Sequence, residues 1–320
     1  MRNRFSPTRS TSWALTFTLV VVTVASMGCP SNTPPAAIVW PISGTTQMDG
    51  PLSSTFGPRL KASEADRYDF HRGIDIPTPV GSDAHAIADG TVRLAGNYSN
   101  YTDTVIQIAH ADGKGGTYYS NYIHMSEVLV SEDDVVEAGD VVGKTGAGES
   151  GFPHLHFEIR DAGLFQRNCI NPFGKLPYPD ENAPSVTIDE VDTTTPTNPI
   201  VTVTVSLPRA DDFDELDFNA VTVSTWQKSG ETTTLLDEQS FDMNQWNFEF
   251  TPLSPEDATV NLDDADYNGV HVEPESFVTA STEYVIHFTF NELTGPANPS
   301  NLVVRAVATD VKGNANEDEQ

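Results

Sequence analysis

The sequence predicts an all-β protein with two folded parts, and three observations carry that expectation. Short runs rich in β-branched and aromatic residues, such as "GTVRLAG", "DTVIQIAHADG" and "GTYYSNYIHM", recur between glycine turns. No stretch carries the apolar period of an amphipathic helix of convincing length. The segment "NPFGKLPYPDENAP" (171–184) holds four prolines and no periodicity, and the charge balance changes beyond it. Residues 181–320 carry 27 Asp and Glu against 4 Lys and Arg, a net charge of -23, whereas residues 1–180 carry 19 against 13, or -6.

Taken in order, residues 1–28 read as an export signal. Arg2, Arg4 and Arg9 precede the apolar run "WALTFTLVVVTVA", which is short for a membrane span, and small residues lead to Cys29. "ASMGC" resembles a bacterial lipobox, with Ser26 where that pattern usually has leucine, so Cys29 is a candidate lipid anchor. The alternatives at this point are a lipoprotein and a simple secreted protein. The other cysteine, Cys169, is expected either to pair with Cys29 in an oxidising compartment or to be a small buried hydrophobe. Residues 29–37, including "PSNTPPAA", form a Pro/Ser-rich tether.

Residues 38–178 form the first folded domain and residues 184–320 the second. In the second, "SVTIDEV", "PIVTVTVSL", "AVTVSTW", "NFEF", "EYVIHFTF" and "NLVVRAVATD" alternate or are β-branched at the spacing of a β-sandwich. Its closing "VRAVATDVKGN" resembles the last strand of immunoglobulin-like modules on bacterial secreted proteins, which makes an Ig-like sandwich the expectation. The acidity excludes nucleic acid as a partner and is read as a solubilising surface. None of the clusters "DDFDELD" (211–217), "DDAD" (263–266) or "EDE" (317–319) has the loop of an EF-hand.

The chemistry concentrates in the first domain, where six of the eight histidines fall: His71, His85, His110, His124, His154 and His156. In "GFPHLHFEIR" (151–160) His154 and His156 lie two apart, so in a strand both imidazoles share a face while Leu155 and Phe157 turn to the core. In "FHRGIDIPTP" the glycine, the alternating isoleucines and the prolines argue for a strand, along which His71 and Asp75 share a face. Two imidazoles and one carboxylate with a fourth position open match catalytic rather than structural zinc, although other transition metals accept the same donors.

With those residues in place, "HRGID" and "PHLHFEIR" resemble the HxxxD and HxH signatures of the lysostaphin-type (LytM-like, M23) zinc metallopeptidases. "WPISG", "STFGPR", "DGTV", "YIHMS" and "VEAGDVVGKTG" match its landmarks in order, from about residue 38 to residue 160. The resemblance implies a compact, mostly antiparallel β fold with one Zn2+ held by His71, Asp75 and His156. It also implies catalytic roles for His154 and for His124, the latter preceded by Tyr122 in a Tyr-x-His context. The activity it implies is hydrolysis of peptide bonds in peptidoglycan stem peptides or cross-bridges, in a protein exported to the envelope: the periplasm, the outer membrane as a lipoprotein, or the exterior. The alternative is a non-hydrolytic envelope protein that regulates a partner amidase or divisome component.

The remaining candidates read blandly. His85, His110, His271 and His287 match no ligand position and are expected to be structural or at the surface. Arg59 of "FGPR" is either a site-edge cation or a turn residue, and the glycines at 139, 143, 146 and 148 are expected to serve tight turns beside the groove.

Overall fold

The structure is a computed structural model, and it describes residues 37–320 apart from 48–49, 62–63, 102, 149–150, 181, 209–215, 246–258, 262–265, 268 and 275–282. The signal segment, Cys29, most of the tether, "NFEF" and most of the first two acidic clusters lie outside the described residues. Residues 35–320 form one compact unit.

The first half is built from β1 (Gly57–Lys61), β2 (Glu64–His71), β3 (Ile74–Pro77), β4 (Asp83–His85), β5 (Gly90–Gly96), β6 (Val105–Ala111), β7 (Thr117–Ile123), β8 (Met125–Val128), β9 (Val135–Val136), β10 (Val141–Ala147), β11 (Pro153–Asp161) and β12 (Cys169–Ile170). The second half holds β13 (Ser185–Asp192), β14 (Ile200–Pro208), β15 (Phe218–Ser229), β16 (Thr232–Asp242), β17 (Thr259–Asn261), β18 (Asp266–Tyr267), β19 (Val270–Pro274), β20 (Glu283–Phe290), β21 (Leu302–Asp310) and β22 (Ala315–Glu319). The strands pair antiparallel throughout, as the expected all-β class requires. Among the described residues no helix is long and apolar enough to cross a membrane.

The main sheet of the first half runs β4-β10-β11-β7-β6-β5-β9, with β3 and β12 also on β11 and β8 on β10. Strand β11 is its keystone. Leu155, Phe157 and Ile159 are fully buried on one face, and Glu158 and Arg160 are buried on the other, so the strand has no solvent side for most of its length. That is why the run reads as mixed rather than cleanly alternating.

One local expectation is corrected here. His71 and Asp75 do not share one continuous strand: β2 ends at His71, the chain turns at Arg72–Gly73, and Asp75 belongs to β3, which leaves the three-stranded β1-β2-β17 sheet to join β11. Gly73 makes the switch possible, because a Cβ there would sit 2.4 Å from the Phe157 carbonyl oxygen. Asp75 is then pinned from both sides. Its N–H donates to the Ser54 carbonyl (2.9 Å), its carbonyl accepts from Ser53 N–H (2.9 Å), and its Cα partner across β11 is His156.

The second half is a two-sheet sandwich, β13-β14-β20-β19-β18 over β16-β15-β21-β22. Val201, Val203, Val205 and Leu207 turn inward while the polar residues between them are half-exposed, the alternation of a sheet with one face on the core. Phe288 meets Phe218 and Phe241 from the facing sheet, with ring centroids 5.9 and 4.9 Å apart. A single continuous core extends from Trp40 to Ala308. The halves are also tied by Thr55 Oγ1 to the Leu216 carbonyl (2.6 Å) and Tyr284 Oη to the Pro58 carbonyl (2.5 Å). Cys169 is buried on β12, and burial pushes its thiol well above the ordinary range.

Because a methyl at residue 73 would collide with main chain rather than with a movable side chain, Gly73→Ala is expected to cost about 1–3 kcal/mol in urea denaturation. A variant as stable as the parent would show that the β2–β3 turn relaxes freely.

Candidate metal centre

Three side chains from β2, β3 and β11 converge. Asp75 Oδ1 lies 2.8 Å from His156 Nδ1 and 3.2 Å from His71 Nε2, and the two imidazole nitrogens are 3.0 Å apart. His71, Asp75 and His156 form a group whose ligand atoms all lie within 4.8 Å of one another. Donors about 2.0–2.1 Å from a tetrahedral ion stand roughly 3.3 Å apart, so the spacing suits a common divalent ion. The donor chemistry agrees, with two nitrogens, one oxygen and no thiolate.

The outer nitrogens show which atoms are free to ligate. His71 Nδ1 is held by the Thr55 carbonyl at 2.7 Å, with Ser54 Oγ at 3.2 Å, which leaves Nε2 directed at the centre. His156 Nε2 faces Glu158 Oε1 at 3.4 Å, which leaves Nδ1. Partners of this kind fix the tautomer and the ring orientation of a ligating histidine. Arg59 sits closer than the site edge: its Nη1 donates to Ser54 Oγ (2.7 Å) and approaches Asp75 Oδ2 (3.3 Å), while Nε pairs with Asp69 (2.9 Å).

The electrostatics follow from this packing. Burial opposes ionisation of Asp75, yet the His71 and His156 imidazoles outweigh it and hold the carboxyl well below its usual range. Burial and the Arg59 charge lower the pKa of His71, which favours the neutral form a ligand needs. Burial also disfavours charge on His156, but hydrogen bonds to Asp75 and Glu158 raise its pKa to about 9.

Two further imidazoles border the same space. His154, nearly buried, has Nδ1 on the Phe152 carbonyl (2.8 Å) and Nε2 3.7 Å from Asp75 Oδ1. The His124 ring lies 4.7 Å from the His154 ring and 5.9 Å from that of His156. His124 alone separates β7 from β8, and it does so with φ of 65°, a left-handed conformation uncommon for a residue other than glycine. Its Nδ1 bonds Asp103 Oδ2 at 2.6 Å, which leaves Nε2 as the nitrogen without that partner.

The glycines do different work from that expected. Gly143 and Gly146 lie inside β10 rather than in turns, and only Gly139 of the four has a positive φ. Gly146 and Gly148 instead make room for His124. A Cβ at the former would lie 2.4 Å from the His124 carbonyl oxygen, and one at the latter 3.0–3.2 Å from the imidazole ring.

Tyr122 is a core residue whose hydroxyl accepts from Ile87 N–H (3.0 Å). His85 holds the Gly139 carbonyl (2.8 Å), and His287 bonds Thr204 Oγ1 (2.8 Å). His110 lies buried between the Asp89 carbonyl (3.0 Å) and Ser120 Oγ (2.7 Å), and burial lowers its pKa to about 4. Asp103 and Glu158 went unread in the sequence. Glu158 carried a weak signal, since it shares a strand face with His156 two residues away, whereas Asp103 sits in a loop without any pattern.

Two imidazoles and a carboxylate, bordered by two more imidazoles, form the donor set of a candidate three-ligand metal site. Residues 69–172 match the model of peptidase family M23. Peptidoglycan DD-endopeptidase ShyA of Vibrio cholerae is 33% identical over 109 residues, 34% of this chain and 24% of that protein. Murein hydrolase activator NlpD of Escherichia coli is 33% identical over 147 residues, 46% of this chain and 33% of that protein. The chain thus spans about a quarter to a third of the length of these relatives. Among solved structures, the catalytic domain of the antimicrobial peptidase lysostaphin from Staphylococcus simulans is 27% identical, with 41% of this chain and 94% of that one covered at a TM-score of 0.36.

The buried Glu158–Arg160 pair (Arg160 Nε to Glu158 Oε2, 2.9 Å) supports the His156 ring. Glu158→Gln is therefore expected to weaken divalent-metal binding about 10–100-fold and to destabilise the fold by about 3 kcal/mol. Metal titration and chemical denaturation of one preparation check both, and unchanged affinity would remove Glu158 from the centre.

His110 gives a separate pH signature. Its pKa is lowered to about 4 in the fold from 6.5, so its contribution is full above pH 6.5 and is lost as pH falls towards 4. The expected loss is on the order of 3 kcal/mol, and the slope of denaturation midpoint against pH over that window should flatten in His110→Gln.

Proposed function

We propose that the chain is a zinc-dependent endopeptidase that cleaves peptide bonds of peptidoglycan, in stem peptides or cross-bridges. The observation that carries this reading is the convergent ligand set, His71, Asp75 and His156, with the His124 ring 4.7 Å from His154 and 5.9 Å from His156. The DD-endopeptidase relatives support the substrate class. They also support an envelope location.

When bound, zinc supplies Lewis acidity for the scissile carbonyl and acidifies water. The rest falls to the protein. His71 and His156 enter as neutral donors through Nε2 and Nδ1, each steered by the partner on its other nitrogen. His154 Nε2 faces the ligand group with its proton-bearing Nδ1 fixed on the Phe152 carbonyl, so Nε2 is placed to accept a proton from the attacking water. His124 carries its proton on Nδ1, against Asp103. If it gains a second proton at Nε2, it can donate to the leaving amine or steady the oxyanion, and the Asp103 carboxylate stabilises that charged form. Burial lowers the pKa of His124 and so favours its neutral form before that step.

A second reading rests on the relatives named as murein hydrolase activators: the chain binds a partner amidase and stimulates it. The complete ligand set argues for cleavage. The Ig-like character of the second half is proposed on the same footing, from its two facing sheets and its closing strand.

Mass spectrometry of fragments released from purified peptidoglycan by the zinc-loaded protein checks the proposal. New peptide termini are expected, and His154→Ala and His124→Ala should each reduce their yield at least about 100-fold while retaining zinc. No release from wild type with zinc bound would overturn the peptidase reading in favour of the activator.

A further inference from the structure

Three aspartates far apart in sequence meet at one end of the sandwich: Asp180 from the proline-rich segment, Asp217 just before β15, and Asp310 at the end of β21. One carboxylate oxygen from each lies within 4.8 Å of the others. Two are deeply buried, Asp217 at 1% and Asp310 at 3% exposure. The burial of Asp310 follows from its register. Val304, Ala306 and Ala308 form the inward face of β21, and Asp310 is the next residue on that face, opposite Phe218. The apolar face of a strand thus ends in a carboxylate.

The two oxygens of Asp310 differ. Oδ1 accepts three main-chain N–H bonds, from Lys312 (2.8 Å), Gly313 (2.6 Å) and Asn314 (2.9 Å), which lock the turn before β22. Oδ2 is buried and has no hydrogen-bond partner. The neighbours are only partly satisfied by protein. Asp217 Oδ2 accepts the Tyr178 hydroxyl, Asp180 Oδ2 accepts Asn314 Nδ2 (2.9 Å), and Asp180 Oδ1 accepts Asn182 N–H (3.2 Å). None of the ion pairs among the described residues involves these three carboxylates. Lys312 directs its ammonium to the face of the Tyr178 ring instead, 4.4 Å from the centroid.

Three like charges at this spacing, with an orphaned oxygen among them, need a compensating cation or a proton. We propose that Asp180, Asp217 and Asp310 bind one calcium ion, which ties the segment leading out of the M23-matching region to the ends of the β15 and β21 strands. The donors are hard oxygens without nitrogen or sulfur, which selects an alkaline-earth ion over a transition metal. They come from three separate places, Asp180 and Asp217 from irregular chain and Asp310 from a strand end, which suits the flexible coordination of calcium better than the strict octahedron of magnesium. Burial together with the Asp180 and Asp310 charges pushes Asp217 up to about 8, so in the absence of the ion a proton takes part of its place. The inference does not depend on the peptidase reading, since the two metal groups share no residue.

Calorimetric titration of the chelator-treated, desalted full chain with CaCl2 tests this, carried to about 5 mM, above the roughly 1 mM dissociation constants of the weakest extracellular calcium modules. One calcium per chain is expected, with a rise in thermal midpoint of about 3 °C or more at saturation. Asp310→Asn keeps an oxygen for the three main-chain amides while removing the second carboxylate oxygen, and it should weaken calcium at least tenfold. Asp180→Asn lies at the half-exposed edge and carries the same expectation if Asp310→Asn does not fold. His156→Ala should leave calcium stoichiometry and affinity unchanged, which separates this site from the metal centre. Absence of calcium binding, or binding equal to wild type in a folded aspartate variant, would overturn the proposal.

Discussion

The pairing of Asp75 with His156 across β3 and β11 is the constraint on which the candidate metal centre hangs. Residues directly opposite on antiparallel strands have their side chains on the same face about 5 Å apart, so the ladder itself brings carboxylate and imidazole together. A slip of one residue would turn His156 to the other face. Burial of Leu155, Phe157 and Ile159 prevents that slip, and the main-chain bonds from Ser53 and Ser54 hold β3 on its other side. His71 then needs only the turn at Gly73 to reach the same point, and the closeness of that turn to β11 admits no side chain.

Around this core of three ligands, each imidazole is aimed by a partner that is itself immobile. His71 and His154 rest on main-chain carbonyls, His156 on a glutamate buried against Arg160, and His124 on Asp103. The arrangement holds costly features. A buried ion pair and a non-glycine residue in the left-handed region both oppose stability, and both occur where an imidazole must point in one direction. Arg59 adds a fixed positive charge at the back of Asp75, which favours the ionised carboxylate without occupying the oxygen that faces the histidines.

The second half shares its core with the first, and this changes how the proline-rich segment is understood. Trp40 donates to the Pro177 carbonyl (2.6 Å), Phe173 packs edge-on to both Trp40 and Tyr178, and Tyr178 reaches Asp217. A stretch with the composition of a linker is thereby built into the junction. The acidic character of the second half is likewise uneven in meaning. Among the described residues most of its carboxylates are exposed, whereas Asp217 and Asp310 are withdrawn from water and held at strand ends.

The sequence by itself determined the all-β class and singled out His71, Asp75 and His156 as candidate donors, because strand alternation and the HxxxD and HxH spacings are local properties of the chain. It also pointed to His124 and His154, through the family resemblance. It misjudged the path between His71 and Asp75 and the part played by Gly146 and Gly148, since a single extended strand and a strand switch share the same alternation. Tertiary structure alone decided that Asp103 supports His124, that Glu158 lies behind His156, and that Asp180, Asp217 and Asp310 meet. Those contacts join residues that no periodicity relates. Periodicity assigns a side chain to a face, and only the packing of one element on another decides what waits there.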